Sequence, residues 1–253
     1  MTMTTHTSSS TPVRHAVVTG AARGIGLAIA AQLARDGLHV LATDRDGEVL
    51  QAEAARLCEQ GLQVRAATLD VQDRAAVAAL FATLPAIDVV VNNAGIASDM
   101  LPFRELDAAR LRTMLGVNTL GSFVVAQEAV RRMPEGGRVV QIASRGYLGG
   151  TGASHYVASK GAVVGMVRAM AIELRWRGIT VNAVAPGMVD TRMLAGYSPE
   201  MRRALEKREP AGAAANPQTI ADAVSFLASP RAAFCNGQVL FVDGGKSVGM
   251  PPL

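Results

Sequence analysis

Ala16-Val17-Val18-Thr19-Gly20-Ala21-Ala22-Arg23-Gly24-Ile25-Gly26 decides the fold. A short apolar, β-branched run reads as a buried strand, and a helical pattern follows over 25–36. The turn between them carries Gly20, Gly24 and Gly26, a G-x-x-x-G-x-G spacing. Glycines there let backbone N–H groups approach a pyrophosphate, and the N-terminus of the following helix favours its negative charge. An ordinary glycine-rich turn has the same composition. Its place between a first strand and a first helix favours the phosphate reading, with Arg23 and Ile25 in the same loop.

Outward from this turn the pattern repeats. Strand-like runs recur at 40–43, 64–69, 87–91, 138–142, 180–185 and 238–242. Helical stretches fall at 47–60, 74–83, 108–133, 156–177 and 217–228. Apolar strands alternating with helices argue a parallel sheet covered on both faces. Right-handed crossovers then give an α/β fold, a Rossmann-type, doubly wound parallel sheet of seven strands. A single domain over 13–253 is expected, after a disordered Thr/Ser-rich tail at 1–12 without an apolar signal core. The segment 187–216 breaks the rhythm with Met188, Met193, Tyr197, Met201 and five basic residues. It follows the carboxyl end of a strand, where ligands bind in such sheets, so a substrate lid is expected; an amphipathic surface helix pair is the plainer alternative.

Composition narrows the class. The chain of 253 residues is 49% hydrophobic and 18% charged, with formal net charge +4. The arginines are scattered rather than clustered, so no nucleic-acid partner is expected. No apolar run reaches the roughly 18 residues of a membrane span. Cys58 and Cys235 lie far apart without metal-ligand spacing, which suits free thiols in a reducing compartment and a cytoplasmic location. No metal site is expected.

Two further features carry chemistry. Asp44 ends the second strand; an acid there accepts hydrogen bonds from ribose hydroxyls and repels a 2′-phosphate, favouring NAD over NADP. Arg23 and Arg45 leave NADP possible, since either can pair with a 2′-phosphate. Tyr156 and Lys160 lie four apart on a helical pattern, hence on one face. A phenol near an ammonium ionises more easily and becomes a usable acid/base. Asn92-Asn93-Ala94-Gly95 closes the fourth strand as an Asx turn whose side chains can tie strand ends together.

These motifs, in this order, together with Asp70, Asn118, Ser144, Pro186-Gly187 and Gly237-Gln238 through Gly244-Gly245, resemble the short-chain dehydrogenase/reductase family over 14–245. The resemblance implies an NAD(H)-dependent oxidoreductase interconverting a secondary alcohol and a ketone. Tyr156 would be the acid/base, with Lys160 lowering its pKa and holding the nicotinamide ribose. Ser144 would bind the substrate oxygen, and Asn118 would position a water in a proton relay. Asp70 and Val71 would hold the adenine; Asn92, Ala94 and Gly95 the adenosine half; Pro186, Gly187, Val189 and Thr191 the nicotinamide end. Arg145, Tyr147 and Met193 are candidate substrate contacts. The segment between Ser144 and Tyr156 is one residue shorter than usual in the family. Gly212-Ala213-Ala214-Ala215-Asn216-Pro217 stands where Gly-Arg-x-Gly-x-Pro is usual, so a different lid anchor is expected.

Two other readings remain open: an NADPH-dependent ketone or 3-oxoacyl reductase, and a non-catalytic nicotinamide-nucleotide sensor. The helices at 108–133 and 156–177 resemble the family's dimerisation helices, which implies a homotetramer, and the apolar tail at 248–253 can reach a neighbour.

Overall fold

The computed structural model describes residues 13–191, 194 and 198–249; the expected tail at 1–12, Met193 and the last four residues of the apolar terminus lie outside them. Seven strands form one sheet in the order β3-β2-β1-β4-β5-β6-β7. They are β1 (His15–Thr19), β2 (His39–Asp44), β3 (Val64–Thr68), β4 (Val89–Asn92), β5 (Arg138–Ile142), β6 (Thr180–Pro186) and β7 (Val239–Val242). Every pairing is parallel, as in Val17 beside Leu41 and Val90. The order reverses between β1 and β4, and ligands bind in such sheets at that switch point.

The helices are α1 (Gly24–Arg35), α2 (Gly47–Glu59), α3 (Arg74–Ala82), α4 (Ala108–Leu115), α5 (Ser122–Arg131), α6 (Ser154–Leu174), α7 (Pro199–Glu206) and α8 (Pro217–Ala228). Successive strand residues point to opposite faces and feed two cores. Ala16 and Val18 pack with Ile29, Leu33, Leu50, Leu57, Ile220 and Val224 of α1, α2 and α8. Val17 packs with Val77, Phe81, Val125, Val163 and Val167 of α3, α5 and α6. Phe81 is fully buried and contributes about 1.5–3 kcal/mol by leaving water. Both faces being covered explains why β4, β5 and β6 are buried at every position.

One segment differs from expectation. The helix expected unbroken over 108–133 is interrupted by a π turn, Gly116–Gly121, between α4 and α5. The cause is a close pass over the β3–α3 connection. A Cβ on Gly121 would stand 2.6 Å from Val71 Cγ2, and one on Gly116 would stand 2.8 Å from Gln72 Oε1. Single π turns within α-helices gather at functional sites, and this one carries the fully buried Asn118. Within 187–216, α7 is a full helix among the described residues. The segment's ends are joined by backbone: Val189 bridges Ala215, Ala215 N–H donates to the Met188 carbonyl at 2.9 Å, and Asp190 N–H to the Ala215 carbonyl at 2.8 Å. That bridge stands where the usual anchoring motif is missing. Among the described residues no helix is long and apolar enough to cross a membrane.

Candidate active site

A cleft of about 410 Å³ opens at the carboxyl ends of β1, β4, β5 and β6, within the size range of small-molecule sites. The glycine loop forms one wall. Gly20 and Gly24 adopt φ of +65° and +55°, which only glycine takes without strain. A Cβ on Gly26 would lie 2.1 Å from the Gly20 carbonyl oxygen and 2.5 Å from Asn93 Nδ2. Helices α2, α3, α4, α7 and α8 are each capped by a side chain, Asp46, Asp73, Asp107, Ser198 and Asn216 respectively; α1, which opens on the cleft, has no such cap. Its first-turn amides therefore suit an anionic ligand. A dinucleotide's pyrophosphate fits this cradle, in which any Cβ at residue 26 would collide.

Asp44 lines the cleft at the end of β2. Its Oδ2 accepts the Ala22 N–H and its Oδ1 the Asp46 N–H, both at 3.0 Å. The carboxylate thus braces the loop while each oxygen keeps a second lone pair for a ribose hydroxyl. Arg23 is held by Asp46 at 2.7 Å. Arg45 lies exposed at the cleft and makes no ion pair among the described residues. Asp70 and Val71 line the same cleft beyond Asp44, Asp70 capping its own turn by accepting the Gln72 N–H.

Of the two asparagines at the end of β4, the structure puts the second, Asn93, at the site. Asn93 Nδ2 donates to the carbonyls of Thr19 and Gly20, at 3.0 and 2.9 Å, tying β4 to the glycine loop across the switch point. Asn92, the expected contact, turns inward and donates to the Ser122 carbonyl at 3.1 Å; it does not line the cleft. Strand alternation sends the two side chains opposite ways. Ala94 and Gly95 line the cleft beside Asn93, as do Ile96 and Val117, which the sequence reading missed.

At the other end Ser144, Tyr156 and Lys160 share the cleft with Pro186, Gly187, Val189 and Thr191. Gly187 is required by the residue that follows β7, since a Cβ there would stand 2.8 Å from Asp243 Cα. Ser144 Oγ accepts the Gly146 N–H at 3.0 Å, which fixes the hydroxyl beside the phenol. Burial pushes the Tyr156 pKa up from its usual 10, and the hydrogen bond with Ser144 opposes that rise. Lys160 is also buried, and desolvation lowers its pKa to about 8. Its Nζ donates to the Ile142 carbonyl at 2.8 Å. The expectation that Lys160 lowers the Tyr156 pKa is therefore not met here: burial dominates, and the opposing contact is Ser144.

The Lys160 shift has a consequence for stability. The folded pKa lies below the unfolded 10.5, so between about pH 8 and 10.5 the unfolded chain holds more protons, and this residue's contribution rises with pH. The cost present below pH 8 is about 3 kcal/mol at 1.36 kcal/mol per pKa unit. Denaturant titrations from pH 7 to 10 should show wild type gaining stability relative to Lys160→Met. A constant difference would contradict the burial of the cation.

Asn118 is a clamp. Its Oδ1 accepts the Ile96 N–H at 2.8 Å, and its Nδ2 lies 3.1 Å from both the Ile96 carbonyl and Ser159 Oγ. A Cβ on Gly95 would meet Asn118 Oδ1 at 3.1 Å and Lys160 Nζ at 3.6 Å. Arg145 and Tyr147 do not line the cleft, and Tyr147 stacks on Phe241 at 5.8 Å. Met193 lies outside the described residues.

Residues 20–247 match the family described as enoyl-(acyl carrier protein) reductase. The chain is 39% identical over 241 residues to a hydroxy(phenyl)methylsuccinyl-CoA dehydrogenase subunit of Thauera aromatica, covering 93% of this chain and 97% of that one. It is 39% identical over 239 residues to cis-4-hydroxycyclohexanecarboxylate dehydrogenase of Sinomonas cyclohexanicum, covering 92% and 96%. A variant of actinorhodin polyketide ketoreductase, solved with NADPH, superposes with a TM-score of 0.86 at 35% identity, covering 93% of this chain and 97% of that one.

Proposed function

The chain belongs to the short-chain dehydrogenase/reductase family of oxidoreductases, and from that premise we propose that it interconverts a secondary alcohol and a ketone with NAD(H), Tyr156 acting as acid/base. The observation that carries the reading is the convergence of Ser144, Tyr156 and Lys160 with the glycine loop and Asp44 in one cleft. A bound nicotinamide supplies the hydride chemistry. The protein's own task is to handle one proton and one oxygen.

Ser144 Oγ holds the substrate oxygen next to the phenol. Tyr156, whose high pKa keeps its proton at neutral pH, donates that proton to a ketone oxygen. In the oxidative direction Tyr156 takes the alcohol proton as phenolate. The hydrogen bond with Ser144 is what favours that form, while Lys160, cationic below about pH 8, would hold the nicotinamide ribose. The Asn118 clamp fixes Ile96 and α6 around these groups. Of the residues lining the cleft, Asp70 and Val71 would hold the adenine, Ala94 and Gly95 would leave room for the adenosine half, and Pro186, Gly187, Val189 and Thr191 would take the nicotinamide end.

Support for NAD comes from Asp44 at the ribose position and from Arg23, which Asp46 already engages. A second reading, an NADPH-dependent ketone or 3-oxoacyl reductase, draws on Arg45 at the cleft and on the NADPH-bound structural relative. Comparing kcat/KM for the two cofactors decides. Wild type should prefer NAD(H) by at least about tenfold, and Asp44→Asn should narrow that preference by about tenfold through loss of the charge that repels a 2′-phosphate. A wild-type preference for NADP(H) contradicts the reading.

The same proposal makes 187–216 the substrate lid, hinged on the Val189–Ala215 bridge. It also makes the protein a cytoplasmic homotetramer of single-domain subunits acting on a small-molecule substrate. Exposed Leu120 and Phe123 near the start of α5, and exposed Ile172 and Trp176 at the end of α6, are apolar surface suited to subunit contacts.

A further inference from the structure

The loop after β4 is fastened at two points. At its base, Asn118 binds both the N–H and the carbonyl of Ile96, which lines the cleft. Three residues on, the Asp99 carboxylate joins two helices. His155 Nε2 of α6 lies 3.2 Å from Asp99 Oδ1, and Arg110 of α4 pairs with Asp99 Oδ2. Between these points Ser98 Oγ donates to the Gly152 carbonyl at 3.3 Å and accepts the Met100 N–H at 3.0 Å. Met100 is held at φ +54°, the one positive φ outside glycine among the described residues.

His155 occupies an uncommon position. It immediately precedes Tyr156 and is 3% exposed, whereas the side chains of its partner Asp99 and of Arg110 are about half exposed. Its Nδ1 is buried with no hydrogen-bond partner among the described residues. An orphaned ring nitrogen is unfavourable, and an apolar residue would fill this space without it. The feature an apolar residue lacks is the bond from Nε2 to Asp99. Arg110 and Asn118 sit eight residues apart on one helical run, so a single scaffold grips the loop at both points and presses both against α6, at His155 and Ser159.

We propose that His155 and Asp99 form a latch that sets the substrate side of the site in register with Tyr156. His155 acts as a positioning residue, through the loop, without touching the cofactor half. The substrate enters between the loop and the phenol, so a released loop misplaces the substrate oxygen while the glycine loop and Asp44 stay as they are. The inference rests on the reading that Tyr156 serves the substrate oxygen.

The test uses the full chain with Asp99→Leu, His155→Leu, the double variant and His155→Gln, which keeps an N–H donor for Asp99. Hydrogen exchange of the amides of residues 97–100, and NADH affinity by titration, need no turnover and so stand or fall independently of the proposed reaction. The latch calls for exchange at least about tenfold faster in both Leu variants, no faster in the double, with NADH affinity within about twofold of wild type and His155→Gln near wild type. With cis-4-hydroxycyclohexanecarboxylate and NAD, or a panel alcohol that turns over better, kcat/KM should fall about tenfold in each single Leu variant and no further in the double, with His155→Gln recovering most of it. Unchanged exchange, multiplicative losses in the double variant, or an equal loss of NADH affinity would overturn the latch. Asp99 is half exposed, so its variant keeps the test available if His155→Leu fails to fold.

Discussion

Tyr156→Phe should lower kcat by about a thousandfold, the scale of losing a positioned general acid/base, while NADH still binds within about threefold of wild type. The substitution removes one oxygen and leaves the ring. Among the described residues that oxygen's side-chain partner is Ser144, and the Lys160 ammonium is held by the Ile142 carbonyl rather than by the phenol. The cleft should therefore keep its shape, and the loss should fall on kcat and kcat/KM together with little change in KM. Steady-state kinetics beside a NADH titration checks it. A variant that also loses cofactor binding points to a structural role for Tyr156. Turnover near the wild-type rate removes the residue from the chemistry.

Gly26→Ala should disable the cofactor site and weaken the fold at once. The added Cβ would fall 2.1 Å from the Gly20 carbonyl oxygen and 2.5 Å from Asn93 Nδ2, atoms of the turn and of the tie across the switch point. Neither is the free end of a flexible chain: Asn93 is held by two carbonyls. Overpacking of this kind costs about 1–3 kcal/mol. At about 2–4 °C per kcal/mol for a chain of this size, the melting temperature should fall by roughly 2–12 °C. NADH affinity should drop at least about a hundredfold, because the first-turn amides of α1 move with the displaced turn. Thermal melts and NADH titration read both effects. An alanine variant binding NADH normally would mean that the pyrophosphate lies elsewhere. Gly61, where a Cβ would meet nothing within 4 Å but φ is +82°, is a control for backbone strain away from the cleft.

The parts of this structure legible in the sequence are those that local chemistry dictates. Gly20 and Gly24 need positive φ, and Gly26 admits no Cβ, so the turn announces itself. Asp44 stands at the end of an apolar strand, and Tyr156 and Lys160 share a helix face by spacing alone. What the sequence could not give depends on distant contacts. The stretch from Gly116 to Gly121 keeps helical periodicity, and its π turn follows from contact with Val71 and Gln72, residues in another connection. Choosing Asn93 over Asn92 requires the last residue of β4; the apolar pattern ended that strand at Val91, and the structure ends it at Asn92. The pKa shifts of Tyr156 and Lys160 arise from burial, which no spacing encodes, and burial reversed the direction expected for the phenol. The pairing of Asp99 with His155 spans 56 residues and carries no motif.

The central claim is that this cleft performs proton-coupled hydride chemistry on a secondary alcohol or its ketone. The measurement closest to it is formation or consumption of reduced nicotinamide by the wild-type chain across a broad panel of secondary alcohols and ketones, with NAD(H) and NADP(H) side by side. Turnover of at least one pair is expected, with NAD(H) preferred and the activity about a thousandfold lower in Tyr156→Phe. Tight cofactor binding with no turnover anywhere on the panel would contradict it.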